Sequence, residues 1–140
     1  MAAVAKFIVD TSIMARQQKP RISERIRTFS DRGVLGICSM VMMEMLTSAR
    51  NQREAEIWLT LAREFECLPM PDEIWDRAIA VQSKLVQQSL HRAVKLPDLL
   101  IAATAERHGV TVLHYDRDYD RIAEVTGQPV EWVVPPGEAD

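Results

Sequence analysis

The sequence is poor in residues that staple a fold or bind soft metals. It carries two cysteines and three histidines in 140 residues. Cys38 and Cys67 each stand alone in an apolar stretch, with no C-x-x-C and no Cys/His cluster. That counts against a zinc site and predicts two reduced core thiols in a cytoplasmic protein. No apolar run approaches the roughly 18 residues of a membrane span, so no membrane association is expected. The opening MAAVAKFIVD meets charge too early for a secretory leader. Internal repeats, low-complexity tracts and linkers are also missing. An excess of positive charge is missing too: the net charge is −3, which does not advertise a nucleic-acid binder.

What the sequence does have is alternation. Short β-branched runs at Lys6–Asp10, Val34–Ser39, Phe65–Met70, Thr111–Asp116 and Val130–Val134 read as buried strands. Helical periods lie between them. Arg21–Arg32 places Ile22, Ile26 and Phe29 on one face, with Gly33 ending it, and Ser39 is suited to cap the helix VMMEMLTSAR. Gln52–Phe65 follows. Asp72 opens a long helix to Ser89, with Ile74, Trp75, Ala78, Ile79, Leu85 and Val86 expected to face the core. After a basic connection at Leu90–Leu96 comes KLPDLLIAATAERHG, apolar nearly all round and closed by Gly109, a good left-handed cap. Arg117–Thr126 is a short helix closed by Gly127. Helical crossovers between strands demand a parallel sheet, so one α/β domain over residues 1–140 is expected. It should have about five parallel strands and helices on both faces.

In such sheets ligands bind beyond the carboxyl ends of the strands, and acidic residues fall there. Asp10 ends the first strand, Asp116 and Asp118 follow the fourth, Glu44 rides the helix after the second, and Asp98 begins the apolar helix. Singly, each has a plainer reading: Asp10 as a turn cap, Glu44 as a solvated flank residue, Asp116 and Asp118 as loop charges, Asp98 as a helix-dipole partner after Pro97. Together they converge on one edge. Clustered carboxylates raise one another's pKa unless a cation sits between them. An oxygen-only set suits Mg2+ or Mn2+, and such ions polarise a phosphodiester and activate water. They would also supply positive charge at the site of an acidic protein that binds RNA. Asp120 and Glu124 read as surface charges, and His114 and His108 as structural.

The stretches FIVDTS and LPDLLIAATAERHGVTVLHYDRDYDRIA, the isolated Glu44 and the total length together resemble the PIN domain. More closely they resemble the VapC-type ribonuclease toxins of toxin–antitoxin pairs. The resemblance implies a magnesium-dependent endoribonuclease toxin with an RNA substrate, silenced by a cognate antitoxin and forming a homodimer. It matches Asp10, Glu44, Asp98 and Asp116 to an acidic quartet, Asp118 to an accompanying acid, and Ser12 to a hydroxyl that orients the first aspartate. An antitoxin would lay an amphipathic segment on the helical face and put a basic side chain in the acidic pocket. Trp58, Trp75 and Met40–Met45 are interface or core candidates, with core the expectation. Among the basic residues, Arg16, Lys19, Arg21, Arg25 and Arg27 come early. His91, Arg92 and Lys95 precede Asp98 and could contact RNA phosphates, or form a solvated loop. Two other classes compete: a PIN-fold binding module without catalysis, and a receiver-like phosphoacceptor domain. The second wants adjacent acids after the first strand, where this chain has DTS.

Overall fold

The computed structural model of the protein describes residues 4–140. Residues 1–3, the beginning of the stretch read against a leader, lie outside it. Five short strands, β1 (Phe7–Val9), β2 (Leu35–Ile37), β3 (Glu66–Cys67), β4 (Thr111–His114) and β5 (Val130–Trp132), form one sheet. Every pairing is parallel and the order is β3-β2-β1-β4-β5. β1 lies at the centre, with Ile8 opposite Gly36 on one side and Val112 on the other. Ile8, Val9, Leu35, Ile37, Val112 and Leu113 are all buried. Successive strand residues point to opposite faces, so burial of neighbours means that helices cover both.

The helices are α1 (Thr11–Met14), α2 (Pro20–Asp31), α3 (Ser39–Ser48), α4 (Gln52–Ala62), α5 (Glu73–Gln87), α6 (Leu96–His108) and α7 (Asp118–Thr126). Helix α6 is buried continuously from Asp98 to Ala105 and ends on Gly109 at φ 66°, the left-handed cap expected from its sequence. Gly36 is demanded by packing: a Cβ there would come within 2.9 Å of the Leu68 side chain and 3.1 Å of Ala5. Among the described residues no helix is long and apolar enough to cross a membrane.

Several local expectations change. α5 buries Ile74, Ala78, Val81 and Leu85, but Trp75, Ile79 and Val86 are 59%, 59% and 50% exposed. The helix has two adjacent apolar rows, and its neighbours cover one of them. Met45 is core and Trp58 is partly buried against it, as expected, whereas Met43 is exposed. Cys38 is buried, its thiol pushed up to about 11 by burial, but Cys67 is exposed; it lies on the two-residue edge strand β3. Ser39 is the first helical residue of α3 and Cys38 its N-cap, without a side-chain cap bond. Ile74→Ala is expected to cost about 2–5 kcal/mol by opening a core cavity, while Trp75→Gln leaves the stability of the monomer within about 0.5 kcal/mol. Urea unfolding of the two variants checks the row assignment.

Candidate active site

The chain runs from β1 outward to β3, then returns to the other side of β1 for β4 and β5. The strand order therefore reverses beside β1, and a crevice opens at the carboxyl ends of β1 and β4. A cleft of about 720 Å³ lies there. Asp10, Ser12, Glu44, Lys95, Asp98, Asp116 and Asp118 all line it, so every residue of the expected acidic set reaches one place.

Each side chain is held by identifiable partners. Asp10 follows β1 and caps α1: its Oδ2 accepts from the Ser12 amide at 3.0 Å and from Ser12 Oγ at 2.6 Å. The turn-cap reading is thus realised, at a position that also lines the cleft. Ser12 Oγ in turn accepts from the Tyr115 amide at 2.9 Å, tying β1's end to that of β4. Glu44, on the second turn of α3 and half-buried, accepts from Thr11 Oγ1 at 2.7 Å. Burial raises its carboxyl above the usual range. Asp98 sits in the first turn of α6 and is 2% exposed. Asp116 Oδ1 accepts from the Asp118 amide at 2.9 Å. Asp118, buried at the start of α7, accepts from Arg121 Nη1 at 3.0 Å and from the Lys95 amide at 3.3 Å.

One oxygen from each of Asp98, Asp116 and Asp118 lies within 4.8 Å of the others, a spacing one ion can bridge. Asp98 Oδ2 is buried with no hydrogen-bond donor. Burial, then the Asp10 charge, then the Asp118 carboxyl beside it push Asp98 up to about 9. An acid this costly to ionise, with one oxygen unused, fits a site meant to receive a cation. Burial also pushes Asp116 upward, but the Asp118 amide and the Lys95 ammonium outweigh it and leave Asp116 below its ordinary range.

Two features escape the sequence reading. Tyr119 is fully buried, and its hydroxyl donates to Asp10 Oδ1 and lies 3.3 Å from Asp98 Oδ1. Burial and the two carboxylates hold its own pKa well above the phenol range, so it remains a donor. The D-x-D-Y-D spacing placed it on the inner side of α7, a signal easily lost among its charged neighbours. The second is the direction of Lys95. Expected beside the substrate, its ammonium instead lies 2.9 Å from Asp116, 3.4 Å from Asp118 and 3.8 Å from Asp98.

His114 is buried, its Nδ1 accepting from the Asp116 amide at 3.1 Å, with its ring between Tyr119 and Trp132. Burial lowers its pKa, so it packs as a neutral ring, in keeping with a structural role. His108 bonds the Pro69 carbonyl at 2.7 Å. Asp120 is no free surface charge: it accepts from Trp132 Nε1 at 3.1 Å. Arg16, Lys19, Arg21 and Arg25 are engaged by the C-terminal segment, through Ala139 O, Asp140 O, Glu138 and Glu131. His91 is half-buried, and Arg92 is exposed with no ion pair or hydrogen bond among the described residues.

Comparison with known proteins agrees with this geometry. Residues 7–125 match the PIN domain, and the chain belongs to the PIN-domain family. Within the family it is of the VapC type. It is 42% identical to ribonuclease VapC21 of Mycobacterium tuberculosis, covering 96% of this chain and 98% of that one. Identity to ribonuclease VapC51 of the same organism is 37%, again over 96% and 98%. In three dimensions it resembles VapBC-1 from nontypeable Haemophilus influenzae, with TM-score 0.74, 18% identity and coverage of 91% and 97%. DNA-bound VapBC from Salmonella typhimurium gives TM-score 0.73, 22% identity and coverage of 93% and 99%.

Proposed function

We propose that this protein is an endoribonuclease toxin that hydrolyses RNA phosphodiesters in the cytoplasm with a divalent metal, Mg2+ or Mn2+, and is silenced by a cognate antitoxin. The observation that carries the reading is the set of buried Asp98 and Asp118 and half-buried Asp116, three carboxylates in reach of one ion, one of them with an oxygen that has no donor. The names of the VapC ribonucleases it resembles and the VapBC structures that share its fold point the same way.

Asp98, Asp116 and Asp118 would hold the metal, with Asp10 and Glu44, which line the same cleft, completing the acidic set. A divalent ion held there would supply polarisation of the scissile phosphate and activation of an attacking water. The chain's own residues provide position. Ser12 and Tyr119 fix Asp10 from two sides, Tyr119 also keeps Asp98 in register with it, and Thr11 points Glu44 into the cleft. Arg92, exposed on the connection into α6, would meet RNA phosphates flanking the cut, and the Lys95 ammonium, paired with the acidic cluster in the free protein, would reach them only by leaving it. The exposed apolar row Trp75, Ile79 and Val86 on α5 supports a homodimer, since exposed rows of this kind mark interaction surfaces.

Antitoxin-free protein incubated with total RNA is expected to produce discrete fragments in Mg2+ and none after chelation by EDTA. Cleavage that persists unchanged in EDTA overturns the metal mechanism. Intact RNA in Mg2+ and Mn2+ alike overturns the nuclease reading.

A further inference from the structure

We infer that Lys95 is a tethered counter-ion to the acidic cluster, a built-in cation that a divalent metal must displace and that is thereby released toward the substrate phosphate. The inference rests on the proposed metal site and adds a regulatory step to it. Its basis is a coincidence of two sets. The carboxylates spaced to share one ion are Asp98, Asp116 and Asp118. The carboxylates within 4.0 Å of Lys95 Nζ are the same three, each through its Oδ2.

Two cations cannot occupy that space together. A magnesium ion takes carboxylate oxygens at about 2.0–2.1 Å in near-octahedral geometry. An ammonium hydrogen-bonded at 2.9 Å to Asp116 stands among the same carboxylates, and like charges so close repel each other.

The geometry of the side chain suits exchange. Its backbone is fixed: the Lys95 amide donates to Asp118 Oδ2 at 3.3 Å, and its carbonyl accepts from Leu99 as the N-cap of α6. The stem, in contrast, is 61% exposed and can turn outward without opening a core cavity. A lysine is a flexible point charge with three rotatable donors, able to change partners without a bidentate fit. Ordinary surface ion pairing explains the contacts less well. Exposed pairs contribute little, and a pair serving stability alone has no reason to select the same three carboxylates that are spaced to share an ion.

The test is Mg2+ titration by calorimetry of wild type, Lys95→Met and Lys95→Arg, each also melted with and without Mg2+. Met keeps the aliphatic stem and removes the competitor. Lys95→Met is expected to bind Mg2+ about tenfold more tightly than wild type, within the usual span of coupling between two ligands. It should melt lower than wild type without metal, and saturating Mg2+ should close that gap. Lys95→Arg, which keeps the charge, should stay near wild type in affinity. With saturating Mg2+, RNA cleavage by Lys95→Met should fall, because no ammonium is then released toward the phosphate.

Equal or weaker Mg2+ binding by Lys95→Met overturns the inference while leaving the metal site standing. Absence of Mg2+ binding in all three proteins overturns the metal site and the inference with it.

Discussion

Asp98→Asn is expected to lower RNA cleavage by about 10³-fold, on the order of 4 kcal/mol of transition-state stabilisation, while making the metal-free protein more stable at neutral and alkaline pH. The two effects have one cause. Asp98 is buried in the first turn of α6 with Oδ2 lacking any donor, and its carboxyl is pushed up to about 9. Its pKa in the folded chain is therefore raised above that in the unfolded chain. A group of this kind contributes stability that is complete at pH values below its unfolded pKa and is lost as pH rises toward its folded one. Asparagine keeps the shape and never ionises. The melting temperature of Asp98→Asn should thus exceed that of wild type by a margin that grows from pH 5 to pH 9. Cleavage should collapse because a neutral amide is a poor ligand for a hard divalent ion. A variant that both melts lower across that range and cleaves normally would show that Asp98 is a structural helix cap after all.

Tyr119→Phe carries the second largest effect. Among the described residues its hydroxyl is the one group that hydrogen-bonds both Asp10 and Asp98, and the side chain is fully buried. Phenylalanine fills the same volume, so no cavity opens. What is lost is a buried donor to two carboxylates, a change that costs about 1–3 kcal/mol when acceptors are left unmet. Thermal melts should register that loss in metal-free protein. Cleavage at saturating Mg2+ should fall by about 10-fold to 100-fold, since Asp10 and Asp98 lose the brace that sets their separation and small misplacements are costly to catalysis. Cleavage and melting temperature both at the wild-type level would remove Tyr119 from the site.

The order of elements was legible because the strands are short β-branched runs and the crossovers are long enough to be helices. The edge carrying the acids followed from the parallel sheet, and Asp10, Glu44, Asp98, Asp116 and Asp118 do line one cleft. Other features were hidden for definite reasons. Periodicity marked Trp75, Ile79 and Val86 as apolar, but which row of α5 is covered depends on the neighbouring helices. Cys67 looked like core because its neighbours are apolar, yet it ends a two-residue edge strand. The four-residue helix α1 (Thr11–Met14) is shorter than any periodic signal. Tyr119 and Lys95 were hidden most completely. The bridge to Asp10 joins residues 109 positions apart, and a lysine beside acids reads equally well as a substrate contact or as their counter-ion until its direction is known.

If Asp98, Asp116 and Asp118 hold a divalent ion, it can be seen directly. The most direct measurement is anomalous diffraction from crystals of the protein grown with Mn2+. The expected result is an anomalous peak at coordination distance from oxygens of these three residues, with the Lys95 ammonium turned away from it. No peak in the cleft, at Mn2+ concentrations that support cleavage, would contradict the account.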